Sequence, residues 1–342
     1  MRLLIAGGGT GGHLFPGMAV AEEVVRRGGQ VMFVGTSRGL EARAVPAAGY
    51  PLELLEVSGL KRVGRVATLR SLLRLPKAFL RSLAILRRFR PDAVLGVGGY
   101  ASGPMVLAAA LWGYPSAIQE QNSVPGITNR ILSRLVRVVM VAFEETRAFF
   151  PAHKIEITGN PVRHKLVAAL SDGAAGDERV GARILVVGGS QGAKGVNELV
   201  LAAVEILAKN GSLPALVHQT GPSDLDRCKE RYRSLGVADR VEVRPFIDDM
   251  ATAYHQASVV VARAGALTLA ELAIAGRPAI LIPLPTAADD HQNKNAARFA
   301  QAGAAVVLDQ RSGTGAQLAQ WLGELAADGH RRGTMAAAMR SL

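Results

Sequence analysis

The sequence predicts an α/β protein with two doubly wound domains, each built on a parallel sheet. Short apolar strands alternate with helical segments, and two of these strands run directly into Gly-rich turns. The first series opens with the strand Leu3–Ala6, the turn Gly7–Gly12 and a helix over Leu14–Arg27. The second opens with the strand Ile184–Val187 and continues into a helix over Asn197–Lys209. Two such openings in one chain indicate two domains.

The other predicted strands continue the two series. They are Val31–Val34, Ala93–Val97, Ser116–Ile118, Val138–Val141, Ala215–His218, Val241–Val243, Ser258–Val261 and Ala279–Ile282. We predict a first domain over 1–160 and a second over 161–325, with a hinge within 158–183. Residues 326–342 form a helical tail. Ligands of such sheets bind at the carboxyl ends of the strands, so the cleft between two facing domains is the predicted site.

Composition excludes several classes of protein. The chain has 342 residues and a single cysteine, Cys228, so an intrachain disulfide and a two-cysteine metal site are both impossible. Hydrophobic residues make up 49%, which excludes extensive disorder. No apolar run reaches the ~18 residues needed to span a bilayer. A net charge of +12 favours anionic partners, in a protein we expect in the cytosol or on its membrane surface.

The first Gly-rich turn suits a phosphate group better than a nicotinamide dinucleotide. Gly7–Gly12 contains the G-x-G-x-x-G spacing between a strand and a helix. A nicotinamide site also needs an acidic residue at the end of the second strand, and the stretch Val34–Arg38 has none. His13 follows the turn. It is either a structural histidine or a general base, and its place at the mouth of the predicted cleft favours the base.

The second turn, Gly188–Gly192, allows two interpretations. Its G-x-S-x-G pattern, with Asp290 and His291 downstream, fits a serine hydrolase. The alternative is a cradle in which backbone N–H groups and the Ser190 hydroxyl hold a diphosphate. A hydrolase elbow lies within one sheet, whereas here a complete α/β series precedes the turn. The sequence therefore favours the cradle.

Two later segments have structural and functional interpretations. In Arg263–Glu271, Thr268 and Glu271 have the spacing of a helix capping box, while the functional alternative places Glu271 on sugar hydroxyls and Arg263 near phosphate. Asp289, Asp290 and His291 could bind a metal. Adjacent residues rarely converge on one ion, so a polar helix start is favoured there.

The positive charge is concentrated in one amphipathic segment, residues 61–90. It carries ten Lys and Arg and no acidic residue, with leucines and phenylalanines interleaved at helical spacing. Such a segment is typical of a helix that binds an anionic membrane surface. The alternative is a core-facing helix with a solvated basic face. Nucleic acid fits poorly because aromatic residues are scarce there.

Several motifs together resemble the MurG family, peripheral membrane glycosyltransferases of peptidoglycan synthesis. The motifs occur in the family's order: Gly8–His13, Gly98–Pro104, Glu120–Asn122, Gly159–Arg163, Gly188–Gly192 and Arg263–Glu271. The resemblance implies the GT-B fold, two Rossmann-like domains around a cleft, with a C-terminal helix that crosses back to the first. It implies transfer of N-acetylglucosamine (GlcNAc) from UDP-GlcNAc to undecaprenyl-pyrophosphoryl-MurNAc-pentapeptide (lipid I) with inversion, at the cytoplasmic face of the membrane and without an obligatory metal.

The resemblance also implies site residues. His13 matches the proposed base, and Gly99, Tyr100 and Glu120 belong to segments associated with the lipid-linked acceptor. The implied donor-binding residues are Thr10, Gly11, Gly12, Asn122, Arg163, Ser190, Ile247, Arg263, Ala266, Leu267, Thr268, Leu269, Ala270, Glu271 and Gln292. The competing functions are a UDP-GlcNAc epimerase of the same architecture, a serine hydrolase, a dehydrogenase and a non-catalytic nucleotide-sugar sensor.

Overall fold

The computed structural model describes residues 1–57, 65–171, 182–189, 191–287 and 290–342. They form two compact units, Met1–His164 and Lys165–Leu342. Each unit is a parallel sheet flanked by helices, which confirms the predicted α/β class with two doubly wound sheets.

The first unit orders its strands β3-β2-β1-β4-β5-β6-β7. All the strands are parallel, and the strand order reverses between β1 and β4, as expected for a doubly wound fold. Its elements are β1 (Arg2–Gly7), α1 (Gly11–Arg26), β2 (Gln30–Gly35), α2 (Glu41–Ala47), β3 (Leu52–Leu54), α3 (Arg65–Phe89), β4 (Ala93–Gly98), α4 (Ser102–Leu111), β5 (Ser116–Glu120), α5 (Ile127–Leu132), β6 (Val138–Val141) and β7 (Ile155–Ile157).

Both faces of the first sheet are buried. On β1, Leu3 and Ile5 pack with Leu14 of α1, whereas Leu4 and Ala6 pack with Met105 of α4 and its neighbours. Successive residues of a strand point to opposite faces, so helices on both sides require an uninterrupted apolar strand. That requirement explains why the sequence marks the central strands so clearly.

The second unit repeats this order as β10-β9-β8-β11-β12-β13. Helices α7 and α12 pack together against it and share a core with Ile184 and Val186 of β8. Its elements are α6 (His164–Ser171), β8 (Arg183–Val187), α7 (Lys194–Lys209), β9 (Ala215–Gln219), α8 (Leu225–Ser234), β10 (Val241–Arg244), α9 (Met250–Gln256), β11 (Val259–Ala262), α10 (Ala266–Ala275), β12 (Ala279–Leu281), α11 (His291–Gln301), β13 (Ala305–Val307), α12 (Gly315–Ala327) and α13 (Gly329–Arg340).

The last helix, α13, packs against α10 and α12 of its own unit. Met335 and Met339 are its buried side chains. Arg332 donates to the carbonyls of Leu325 and Ala326, at 2.7 and 2.8 Å. The guanidinium therefore satisfies carbonyl groups that the end of α12 leaves without intrahelical donors.

Candidate active site

The Gly-rich turn after β1 presents backbone N–H groups at the start of α1. Gly8 and Gly9 have φ of +139° and +89°, a region that favours glycine. Thr10 is the N-cap, and the first intrahelical bond runs from the His13 N–H to the Thr10 carbonyl (3.2 Å). The N–H groups of Gly11 and Gly12 precede that bond. They have the orientation of an anion or carbonyl site at a helix N-terminus.

A buried carboxylate, Glu41, holds this turn from inside the unit. Its side chain accepts from the Gly9 N–H (2.6 Å), the Thr36 N–H (2.8 Å) and the Thr36 hydroxyl (2.8 Å). A side chain at Gly8, Gly35 or Gly39 would collide with it. Glu41 thus ties the end of β2 to the glycine turn. Its buried oxygens accept from the protein's own donors, which gives Glu41 a structural role.

His13 lies in the first turn of α1, half-buried, against the end of β4. Its Nδ1 is 3.0 Å from Oε1 of Gln121, the residue after β5. Gly98 has φ of +92°, and a Cβ there would lie 2.8 Å from Nδ1 of His13. Gly99 has φ of +81°, and a Cβ there would collide with the backbone of Gly8. The carboxyl ends of β1, β4 and β5 therefore meet at the imidazole.

The predicted acceptor residues differ in their exposure. Tyr100 follows Gly99 and is 55% exposed, so its ring is available to a ligand. Glu120 is 1% exposed, and its carboxylate accepts from the Asn122 N–H (3.1 Å), the Gly126 N–H (3.2 Å) and the Asn129 side chain (2.9 Å). Glu120 shapes the loop that carries Asn122. Its direct contact with an acceptor stays a prediction, as do those of Gly99 and Tyr100.

In the second unit, a Gly-rich turn follows β8. Gly189 and Gly192 have φ of +90° and +76°, and the Gly192 N–H donates to the Gly189 carbonyl (2.8 Å). Gln219, at the end of β9, also donates to that carbonyl (3.0 Å). Ser190 lies outside the described residues, so its assignment to a diphosphate cradle stays a prediction.

Helix α10 begins shortly after β11, the strand next to β8 in the sheet. Its N-cap is Gly265, so the predicted capping box of Thr268 and Glu271 is wrong: Thr268 lies inside the helix. The observed N-cap lies three residues before Thr268. The first-turn N–H groups belong to Ala266, Leu267 and Thr268, and Leu269 donates to the Gly265 carbonyl (3.0 Å).

Arg263 follows the carboxyl end of β11, and Glu271 lies in α10, the next helix, where Leu269 is buried and Ala270 half-buried. The Tyr254 hydroxyl of α9 donates to Glu271 (3.0 Å). Burial, and then Glu271, raise the pKa of Tyr254 well above its usual value, so the phenol stays a donor. Glu271 is thereby held in one orientation.

Arg263 follows β11 and donates to the carbonyls of Ile282 (2.9 Å) and Pro283 (3.0 Å) and to Oε1 of Gln310 (2.6 Å). Burial lowers its pKa to about 10, so the guanidinium is still charged at neutral pH. These three acceptors are all uncharged. The positive charge of Arg263 is therefore available to an anion at the carboxyl end of β11.

The remaining predicted donor residues are dispersed. Ile247 follows β10 with its side chain buried, and Arg163 is exposed near the end of the first unit. Oε1 of Gln292 accepts from the Leu284 N–H (2.9 Å), which fixes the loop after β12. Asp290 precedes α11 and accepts from the Asn293 side chain (2.6 Å). The favoured polar helix start at this point is confirmed.

The second unit also contains a buried polar network that sequence analysis missed. His218 of β9 contacts the Tyr232 hydroxyl through Nδ1 (2.8 Å) and Asn197 through Nε2 (3.1 Å). Asn197 in turn donates to Asp224 (2.7 Å), which pairs with Arg227. Burial lowers the pKa of His218 to about 3. The network links α7 to the loop after β9, next to the second glycine turn.

This network predicts a pH-dependent stability. The pKa of His218 is about 3 in the folded chain and 6.5 when unperturbed, so the unfolded chain binds the extra proton as pH falls below 6.5. From these values we expect about 2 kcal/mol of the free energy of unfolding to be lost between pH 7.5 and pH 5. The measurement is urea denaturation of wild type and His218→Gln at both pH values. Equal pH slopes in the two proteins would contradict the prediction.

Helix α3 supports the core-facing alternative over its described side chains. Ala78, Ser82 and Leu86 are buried on one face. Among the cations, Lys77 pairs with Glu56 (3.1 Å), while Arg81 and Arg88 both pair with Glu53. Residues 61–64 of the predicted membrane segment lie outside the described residues. Leu80, which is 65% exposed, and Arg87 face away from the core.

Neither a metal centre nor a membrane-spanning helix is found among the residues that the structure describes. Within the part of the chain that the structure describes, no three His, Cys, Asp or Glu side chains are grouped closely enough to hold a metal ion. None of the described helices has the length and apolar character that crossing a bilayer demands.

Comparison with known proteins defines the class. The model of the glycosyltransferase family 28 N-terminal domain matches residues 3–141, and that of the C-terminal domain matches residues 183–341. Two α/β units, each with its polar site at the carboxyl ends of the strands, are the architecture of a two-domain glycosyltransferase. The chain belongs to glycosyltransferase family 28.

Individual relatives indicate a narrower group within this family. The chain is 52% identical, over 95% of its length and 84% of the relative's, to the UDP-N-acetylglucosamine--N-acetylmuramyl-(pentapeptide) pyrophosphoryl-undecaprenol N-acetylglucosamine transferase of Myxococcus xanthus. It is 50% identical to the protein of that name from Anaeromyxobacter dehalogenans, over 99% and 88%. The crystal structure of Acinetobacter baumannii MurG superposes with a TM-score of 0.79 at 34% identity, covering 99% and 94% of the two chains. The predicted resemblance to the MurG family is confirmed.

Proposed function

We propose that this chain transfers GlcNAc from UDP-GlcNAc to the C4 hydroxyl of MurNAc in lipid I and forms a β-1,4 bond with inversion. The observation that carries the proposal is 52% identity, over nearly the whole chain, to a relative named for this reaction. The site geometry supports it, because a half-buried histidine lies at one set of strand ends and a helix N-terminus with Arg263 lies at another.

The proposed chemistry is a single displacement. The C4 oxygen attacks C1 of the GlcNAc, the bond from C1 to the diphosphate oxygen breaks, and UDP leaves. The hydroxyl proton passes to the imidazole of His13. Because one displacement inverts C1, no covalent intermediate with the protein is needed. We propose that the first unit binds lipid I through the segments that contain Gly99, Tyr100 and Glu120.

The donor residues have complementary roles in this proposal. The first-turn N–H groups of α10 and the Arg263 guanidinium stabilise the negative charge that develops on UDP. Glu271, oriented by Tyr254, accepts from the ribose hydroxyls. Because these groups already supply positive potential to the diphosphate, we infer that a divalent metal is not obligatory.

The experiment that tests the function measures UDP release from UDP-GlcNAc with and without lipid I. We expect release only when the acceptor is present, recovery of the sugar on the lipid, and full activity in EDTA. Release without acceptor would indicate epimerase or hydrolase chemistry and would overturn the proposal. UDP binding without turnover would instead indicate a nucleotide-sugar sensor.

We also propose that the chain binds the anionic cytoplasmic surface of the cell membrane through the segment 61–90. On its described part, Leu80 and Arg87 are exposed on one side of the helix. Trp112 of the neighbouring α4 region is 49% exposed and contacts Phe79, with ring centroids 5.9 Å apart. Apolar and cationic groups side by side fit an interface with anionic headgroups.

Vesicle co-sedimentation tests the membrane proposal. We expect binding to phosphatidylglycerol vesicles that falls with salt, and a double variant Leu80→Ser/Arg87→Glu that binds about tenfold more weakly or worse, since each cation contributes about 1 kcal/mol. Arg43→Glu is the matched control, because Arg43 is exposed on α2. Equal binding to neutral vesicles, or equal loss in the control, would contradict the proposal.

A further inference from the structure

The role of a histidine as base depends on which ring nitrogen carries its hydrogen. A neutral imidazole has one N–H donor and one nitrogen with a free lone pair, and only the second can accept a proton. His13 uses Nδ1 to contact Oε1 of Gln121 (3.0 Å). The orientation of the Gln121 amide therefore determines which nitrogen of His13 can act as a base.

A backbone carbonyl fixes the orientation of that amide. The Nε2 group of Gln121 donates to the carbonyl of Val97 (2.8 Å), a group that can only accept. The other end of the amide, the oxygen Oε1, consequently faces His13. An amide oxygen cannot donate, so Nδ1 of His13 must carry the hydrogen and Nε2 keeps its lone pair.

A second chain of hydrogen bonds imposes the same direction. Asn160 donates through Nδ2 to the carbonyl of Gln121 (3.0 Å), so its Oδ1 is the acceptor for Nε2 of Gln119 (3.0 Å). The Oε1 of Gln119 then accepts from Nε2 of Gln121. Gln119 and Gln121 are each 1% exposed, which removes water as a competing partner. Two backbone carbonyls thus fix the polarity of three amides.

We propose that Gln121, supported by Gln119 and Asn160, is a positioning residue that keeps His13 in the Nδ1–H tautomer with Nε2 available to the acceptor hydroxyl. This inference rests on the proposed role of His13 as the base. A neutral amide orients the ring with no net charge beside it, whereas a carboxylate at this position would favour the imidazolium much more strongly. The relay therefore selects the tautomer of the neutral ring and leaves Nε2 as the acceptor.

The first test needs no substitution in the relay. The full-length protein, labelled with ¹⁵N-histidine, is examined by NMR, with the His13 signals assigned by their absence from His13→Gln. We expect a protonated Nδ1 and an unprotonated Nε2. The reverse tautomer would overturn the inference. If the tautomer is as expected but His13→Ala keeps full turnover, the relay stands and the proposed base is wrong.

Two substitutions test the consequence for catalysis. Gln121→Met removes the acceptor at similar volume, and we expect kcat to fall about tenfold while KM for UDP-GlcNAc is unchanged. In Gln121→Glu, we expect the acidic limb of the kcat profile to move up by about 1 pH unit, with activity recovered at higher pH. Gln30→Glu is the matched control, because Gln30 is exposed at the amino end of β2. An unshifted limb in a folded Gln121→Glu protein would overturn the inference.

Discussion

Replacing His13 with alanine is expected to lower kcat about 100-fold or more, because a general base contributes that much to a displacement by a hydroxyl. The affinity for UDP is expected to stay within about twofold, since the groups proposed to bind the UDP part of the donor, the start of α10, Arg263 and Glu271, belong to the second unit. The measurement pairs the rate of UDP release in the presence of lipid I with calorimetric titration of UDP.

A matched variant controls for the loss of an imidazole. His330 is exposed on α13, so His330→Ala removes the same side chain from the surface of the second unit and should keep wild-type kcat. Retained turnover in His13→Ala would remove the base from the proposed mechanism. Parallel losses of kcat and UDP affinity would show instead that the substitution disturbs the fold.

The sequence predicts the central strands well and misses most of the sheet edges. β3 (Leu52–Leu54), β7 (Ile155–Ile157) and β13 (Ala305–Val307) are absent from the sequence predictions, and each lies at an edge of its sheet. An edge strand pairs on one side, so these three-residue segments need no continuous apolar run. Their positions depend on register with a neighbour, which a local pattern does not contain.

The start of α1 shows how tertiary structure overrides propensity. The sequence predicts a helix from Leu14, whereas the helix begins at Gly11 and includes His13. Two glycines disfavour a helix by about 1 kcal/mol each relative to alanine. A Cβ at Gly11 would lie 2.9 Å from the ring of Phe15, so glycine leaves room for the first turn. His13 thereby gains a defined place in that helical turn instead of a loop.

The candidate site also contains residues that the sequence predicts and residues that it does not. Sequence patterns identify the turns, His13 and the Glu271 segment, because their residue types are unusual at strand ends. They do not identify the supporting residues Glu41 and Tyr254, whose partners lie elsewhere along the chain, and they mark Gln121 only as part of a motif, without its contact to His13. A polar residue that is satisfied only by the folded structure resembles a surface residue in the sequence.

Glu41 gives the clearest test of such a supporting residue. In Glu41→Gln, one acceptor oxygen becomes an NH₂ group facing the backbone donors of Gly9 or Thr36, which leaves a buried N–H unsatisfied. We expect the free energy of unfolding to fall by about 2 kcal/mol, the usual cost of losing a charged acceptor for buried donors. We also expect kcat to fall about tenfold, because the glycine turn beside His13 loses its anchor.

Urea denaturation and steady-state kinetics of Glu41→Gln measure the two effects. Glu156→Gln is the control, since Glu156 is exposed on β7 and the charge change is identical. A midpoint equal to that of the control would mean that the buried carboxylate contributes nothing beyond its charge. Lower stability with wild-type kcat would separate the two roles, because the turn would then keep its shape through the close packing of Gly8 and Gly99 alone.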